Sequence, residues 1–308
     1  MRIRLFISIA LLACFGACTP PGDQWLASGL EKAGKGDYSG AILDYTEAIK
    51  ADTFMTEAYN NRAAARLKLK DYKGALRDYK MAIDLEPENA MAYFNRAVAW
   101  SESGDIKRSL IDYNRSIELD PGFAKAYYNR GNAKSYQKDF PGAIDDYSKA
   151  ISLLPDFADA YYNRGLARCN QGQFQIAIAD FDKAISNKPT FVEAFSNRAA
   201  ARYNLGDFTG AILDYDKAIG LDPERIEAYM NRGIARSKTS DHQGAIADFS
   251  KAIELNPNNG TTYSNRAFAK YSAGDREGAC TDWNRALQLG YGGAKEPMRK
   301  YCKLLRQP

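Results

Sequence analysis

The segment Ala126-Tyr127-Tyr128-Asn129-Arg130-Gly131 returns 34 residues later as Ala160-Tyr161-Tyr162-Asn163-Arg164-Gly165. The same step finds related hexapeptides beginning at Ala58, Ala92, Ala194, Ala228 and Thr262, and a worn first copy around Trp25. A fixed period of this length predicts a stack of repeated supersecondary units rather than one or two globular domains. Each unit carries two stretches of helical composition, about 14 residues each, parted near the fifteenth position. That position often reads Gly-Asp, as in Gly36-Asp37, Gly104-Asp105 and Gly206-Asp207. Glycine there supplies a left-handed helix end, and a proline near the end of the unit (Pro87, Pro257) stops the second helix. A lone helix pair cannot bury both faces, so stacking must build the core.

With Gly22 as position 1, eight repeats begin near residues 22, 56, 90, 124, 158, 192, 226 and 260, and the array runs over 22–293. Position 4 is aromatic throughout, from Trp25 to Tyr263, and position 24 is aromatic from Tyr45 to Trp283. Position 8 is Gly or Ala, and positions 20 and 27 are Ala, replaced in the third repeat by Ser109 and Ser116. This pattern resembles the tetratricopeptide repeat. The resemblance implies an all-α, right-handed solenoid of about eight helix-turn-helix units, closed here by a capping helix over 294–306. Met298, Tyr301, Leu304 and Leu305 give that helix an apolar side.

Met1 to Arg4 carry two arginines, and Leu5 to Ala17 are apolar apart from Ser8, which reads as a secretory signal over 1–18. Phe15-Gly16-Ala17-Cys18 resembles a bacterial lipobox, in which cleavage leaves Cys18 diacylated; Leu11-Leu12-Ala13-Cys14 is the rival site, and an ordinary cleaved signal the plainer one. A short linker over 19–23, stiffened by two prolines, would hold the array against a membrane. Thr19 after the cysteine resembles the outer-membrane default of two-membrane bacteria. The expected location is the cell envelope, lipid-anchored on the periplasmic side of the outer membrane, with a soluble periplasmic or secreted protein as the alternative.

Asp recurs at position 23 of every repeat and Arg at position 7 of seven. The sequence expectation pairs each Arg with the Asp of the repeat before it: Arg62–Asp44, Arg96–Asp78, Arg130–Asp112, Arg164–Asp146, Arg198–Asp180, Arg232–Asp214 and Arg266–Asp248. Lys300–Asp282 closes the series. Two observations suggest that direction: Ser28 replaces Arg in the first repeat, and Lys300 follows Asp282 in register. Such pairs would fix the stacking register, because a catalytic site is not copied eight times.

On an ideal first helix, positions 4, 7, 8 and 11 face the neighbouring helices and positions 2, 5, 6, 9, 12 and 13 the opposite arc. In tetratricopeptide proteins that arc lines the concave groove. Position 6 is Asn in seven repeats, including Asn95, Asn129, Asn163 and Asn197. Either these amides meet the backbone of an extended peptide, or they bond to neighbouring helices of the fold. At position 5, Phe94, Tyr128 and Tyr162 group in repeats three to five, joined by Lys125 and Tyr136. They read as a peptide-binding patch, with packing between first helices as the competitor.

Cys280 and Cys302 are placed to form a disulfide in an oxidising envelope, or to stand as two buried thiols; Cys169 is left over as a small filler, and His242 packs where other repeats have an aromatic. One His and no close Cys/His cluster argue against a zinc site, and no Gly-rich phosphate loop or nucleophile motif points to a cofactor or small-molecule substrate. A net charge of +4 without a basic run argues against nucleic acid. The functional expectation is a non-catalytic scaffold whose partners are proteins or extended peptides. Its alternatives are a soluble periplasmic chaperone, or an accessory factor for pilus or secretion-channel assembly.

Overall fold

The computed structural model describes residues 21–302. The signal segment, Cys14, Cys18, Leu304 and Leu305 lie outside the described residues. The chain divides into two compact modules, residues 1–121 and 122–308. The N-terminal module holds α1 (Pro21–Gly34), α2 (Tyr38–Ala51), α3 (Thr56–Lys68), α4 (Tyr72–Leu85), α5 (Ala90–Glu102) and α6 (Ile106–Leu119). The C-terminal module holds α7 (Ala124–Tyr136), α8 (Phe140–Leu153), α9 (Ala158–Asn170), α10 (Phe174–Asn187), α11 (Val192–Asn204), α12 (Phe208–Leu221), α13 (Ile226–Lys238), α14 (His242–Leu255), α15 (Gly260–Ser272) and α16 (Arg276–Gln288). A 3₁₀ turn (Gly292–Ala294) then leads to α17 (Lys295–Tyr301). No strand occurs among the described residues. Within each module every helix packs on the next, as a helical solenoid requires.

Local chemistry sets the helix ends. Position 15 takes left-handed φ, as in Gly36 (81°), Gly104 (90°) and Gly206 (83°); Lys70, Lys138 and Ser240 adopt it where glycine is absent. The next residue is an N-cap: Asp37, Asp71, Asp139, Asp207, Asp241 and Asp275 each accept a hydrogen bond from the glycine N–H three residues on. Gln173 makes no such cap in the fifth repeat.

The core is small against large. Alanines at positions 3, 20 and 27 are sealed, and the position-24 aromatics are almost fully buried from Tyr45 to Trp283. Burying one such ring contributes about 3 kcal/mol. The close approach is visible at Gly165, where a Cβ would lie 2.7 Å from the Phe181 ring. At the C-terminal end, Met298 and Tyr301 pack with Trp283, Tyr271 and Tyr291. Cys280 and Cys302 are joined by a disulfide, Cα to Cα 5.8 Å, which ties the end of α17 to α16. Within the described residues this helix spans Lys295–Tyr301.

The Arg and Asp series overturns the expected pairing. Each Arg meets the Asp of its own repeat, as Arg62 does with Asp78, Arg96 with Asp112 and Arg130 with Asp146. Arg164 likewise meets Asp180, Arg198 Asp214, Arg232 Asp248 and Arg266 Asp282. The contacts are two-pronged, through Nε and Nη2, at 2.6–3.2 Å. Asp44 takes Ser28 and Lys32 of its own repeat, and Lys300 lies over the Tyr301 ring. The reason is the hairpin itself. With the turn at position 15, residues whose positions sum to 30 face one another, and 7 and 23 do so.

Position 11 supplies a second cation to the same carboxylate from Arg66, Lys134, Arg168, Arg202, Arg236 and Lys270, and the cation on Asp44 from Lys32. In the third repeat Trp100 takes that place and Arg108 lies over its ring instead. Contact with the preceding repeat does exist, but at position 25. The free Nη1 of Arg62 donates to Thr46, that of Arg164 to Ser148, and that of Arg266 to Ser250; Arg198 and Arg232 reach Asp182 and Asp216 there. Each guanidinium also stacks over the position-4 ring one turn earlier, 5.4 Å away for Arg164 and Tyr161. The Asp carboxylates are buried, so their value depends on this full set of donors.

Candidate binding face

The first helices of the C-terminal module lie side by side, α7 against α9, α9 against α11, α11 against α13 and α13 against α15. Position 5 does not stand free on the face they form. The Tyr128 ring lies 4.7 Å from Phe157 and 5.9 Å from Tyr147; Tyr162 repeats this with Phe191 at 4.7 Å and Phe181 at 6.0 Å. Both rings are half-buried, and burial pushes both phenols above their ordinary pKa. Their hydroxyls accept from the position-6 amide of the next repeat: Asn163 Nδ2 to Tyr128 at 3.0 Å, and Asn197 Nδ2 to Tyr162 at 3.0 Å. Asn163 donates also to Asn132 Oδ1, which accepts from the Tyr147 hydroxyl as well. Asn197 turns its other hydrogen back to the Glu193 carbonyl.

The arc assumed free of internal packing is therefore partly used by it. Tyr128, Tyr162, Asn163 and Asn197 lock neighbouring first helices together. Of the remaining expected residues in this module, Tyr136 is 77% exposed, Lys125 is exposed and Asn129 is half-buried. Tyr136 and Lys125 remain open to a partner.

In the N-terminal module, Phe94 is half-buried with its ring 6.0 Å from Tyr113, and Asn95 is half-buried. Sequence reasoning missed the neighbouring pair at positions 5 and 6 of the second repeat as a site. Asn60 Oδ1 and Asn61 Nδ2, both on α3, are buried atoms without a hydrogen-bond partner. Such atoms are rare in a finished fold, and a guest backbone would satisfy them. The available signal was that position 5 is Asn in this repeat alone.

Cys169 packs beside Phe181 and Tyr162, and burial pushes its thiol up to about 11, with the Asp180 charge adding to the effect. That is the wrong direction for a nucleophile. His242 is half-buried at the start of α14 with Nδ1 unpartnered. Among the described residues, no group of three His, Cys, Asp or Glu is placed to hold a metal, and no helix is long and apolar enough to cross a membrane.

The tetratricopeptide repeat family model matches residues 56–89, 124–157, 158–191 and 226–259, and a further TPR repeat model matches 201–240. No curated protein sequence matches the chain. Among solved structures, YrrB, described as a TPR protein with an unusual peptide-binding site, is 25% identical with TM-score 0.53, over 58% of this chain and 92% of its own. The C-terminal part of a TPR repeat-containing protein from Cytophaga hutchinsonii is 19% identical with TM-score 0.64, over 78% and 98%. A tetratricopeptide repeat protein from Parabacteroides merdae is 19% identical with TM-score 0.58, over 81% and 98%. These last two likenesses concern the fold alone.

Proposed function

Because the chain belongs to the tetratricopeptide repeat family, we propose that it is a non-catalytic adaptor, tied to a bacterial cell envelope by a diacylated Cys18. It holds extended segments of partner proteins on its first-helix face. The fold class is one of protein-protein interaction scaffolds, and the peptide-binding site of YrrB supports the same reading here. The observation that carries it is the pair of buried, unpartnered amide atoms on Asn60 and Asn61. A peptide backbone offers the donor that Asn60 Oδ1 lacks and the acceptor that Asn61 Nδ2 lacks. The charged start, apolar run and small residues before Cys18 support the anchor, and Thr19 supports the outer membrane.

Crosslinking in cells followed by mass spectrometry tests the adaptor. The double substitution N60A/N61A is expected to remove captured partners without lowering the melting temperature; unchanged capture overturns the proposed role of this face. For the anchor, Cys18→Ala is expected to move the protein from the membrane to the soluble fraction with loss of the lipid mass. An unaltered fraction and mass would leave the soluble periplasmic assembly factor as the reading.

A further inference from the structure

Repeats four and five fill the space between adjacent first helices with the same parts. A position-5 tyrosine lies against the position-24 ring and the position-34 phenylalanine of its own repeat. Its hydroxyl accepts from the position-6 asparagine of the next repeat. The sixth repeat keeps the surroundings and deletes the occupant. Position 5 is Ser196, and position 34 is Arg225, whose Nη1 donates to Glu193 Oε1 at 3.2 Å. Ser196 Oγ and Arg225 Nε are both buried without a hydrogen-bond partner. Position 9, Asn132 in the fourth repeat and Leu166 in the fifth, is here Ala200.

A cleft of about 260 Å³ opens between α11 and α13, lined by Ala200, Tyr203, Asn204, Tyr215, Asn231 and Ile234. Three of these hold the places that surround Tyr128 and Tyr162: position 9, position 24 and the asparagine at position 6 of the following repeat. The volume falls below the ~300–1,000 Å³ of sites for drug-sized ligands, and suits a single ring. Asn163 and Asn197 each spend one amide hydrogen on a tyrosine hydroxyl. Asn231 has no such tyrosine before it; it is exposed, and its side chain hydrogen-bonds the buried Tyr215 hydroxyl.

We propose that this cleft is a specificity pocket for a tyrosine side chain of the partner. The incoming ring replaces the one missing at position 5, and its hydroxyl accepts from Asn231 Nδ2 as the Tyr128 hydroxyl does from Asn163. The inference deepens the adaptor reading and rests on it, since it names the side chain that an extended partner segment would present. Phenylalanine would fill the cleft but leave the asparagine hydrogen unused, so tyrosine is preferred by roughly fivefold, the worth of one hydrogen bond.

The probes are p-cresol, which is the tyrosine side chain, and toluene, which is that of phenylalanine. Titration of each into the full chain, followed by amide chemical shifts, should move resonances around Ala200 and Asn231 with millimolar affinity for p-cresol and weaker binding of toluene. Asn231→Ala should abolish the preference while leaving toluene binding unchanged. The double variant S196Y/R225F rebuilds the arrangement of repeats four and five; it should lose p-cresol binding and melt no lower than the parent. Should that variant fail to fold, Ser196→Tyr alone supplies the missing ring and keeps the Arg225–Glu193 pair. Shifts that lie elsewhere, persistence of binding in the filled variants, or equal affinity for the two probes would overturn the proposal. These readings need no partner, so they fail independently of the crosslinking that tests the adaptor.

Discussion

Substituting Asp180 by alanine tests the rebuilt charge network most sharply. Its buried carboxylate takes three donors: Arg164 Nε at 3.1 Å, Arg164 Nη2 at 2.7 Å and Arg168 Nη1 at 2.7 Å. The two guanidinium side chains are 15% and 18% exposed, so removal of the acid strands two poorly hydrated cations. Breaking a buried pair in this way costs about 3–5 kcal/mol. Arg168→Ala leaves Asp180 its two-pronged partner and should cost about 1.5–3 kcal/mol, the range for one hydrogen bond to a charged group. Urea unfolding followed by circular dichroism, fitted with repeat and interface contributions kept separate, gives these values. A double-mutant cycle then decides the direction of pairing. Arg164 and Asp180 should couple by about 2–3 kcal/mol, whereas Arg164 and Asp146 should be additive within about 0.5 kcal/mol. Coupling to Asp146 as large as that to Asp180 would refute the hairpin argument.

Three other outcomes follow from particular contacts. Gly165→Ala should lower stability by about 1–3 kcal/mol, because its Cβ meets the Phe181 ring, whereas Gly220→Ala has nothing within 4 Å and should raise it by up to about 1 kcal/mol; equal effects in thermal melts would contradict the close packing. Removing the Cys280–Cys302 bond, which closes a loop over a sequence separation of 22, should cost the last repeat about 3 kcal/mol, seen as faster amide exchange in α16 and α17 on adding reductant. The Cys169 thiol, raised to about 11, is only about 0.1% thiolate at pH 8, against roughly a quarter for an ordinary cysteine. Its alkylation should therefore run about two orders of magnitude slower than that of the unfolded chain, and rise tenfold per pH unit towards pH 11. A rate that is flat in pH would show that access, rather than ionisation, controls it.

The period carried the architecture, because turn chemistry and helix stops recur at fixed places and each stop has one physical reading. The ion pairs are legible too, but in the geometry of the hairpin rather than in the ends of the array. Ser28, in the first repeat, donates to Asp44 within its own repeat and so carries no information about a preceding one. Two antiparallel helices about a turn at position 15 put 7 opposite 23 and 11 opposite 19, and Arg66 does reach both Asp78 and the Gly74 carbonyl. Counting the cations at position 11 would have exposed this. The face was harder to read. An ideal helical wheel shows which arc a residue occupies, not whether the neighbouring repeat leans on it, and Tyr128 and Tyr162 are held by rings 29 residues further along the chain. The same periodic comparison that hid their packing role exposes the sixth repeat, where Ser196 and Arg225 replace both members of the pair together.

The reach of Arg62, Arg164, Arg198, Arg232 and Arg266 to position 25 of the preceding repeat gives the array a polarity. At these five joins the later repeat asks something of the one before it and nothing, through this bond, of the one after. Trimming from the C-terminal side strands none of these five guanidiniums, whereas trimming from the N-terminal side takes the position-25 partner from whichever of them comes next. Growth by duplication is correspondingly simple: a new copy inserted within either module finds a position-25 acceptor already in place if the copy ahead of it carries Ser, Thr or Asp there. Lys80 at that position, ahead of Arg96, marks the join in the N-terminal module where such an acceptor is missing.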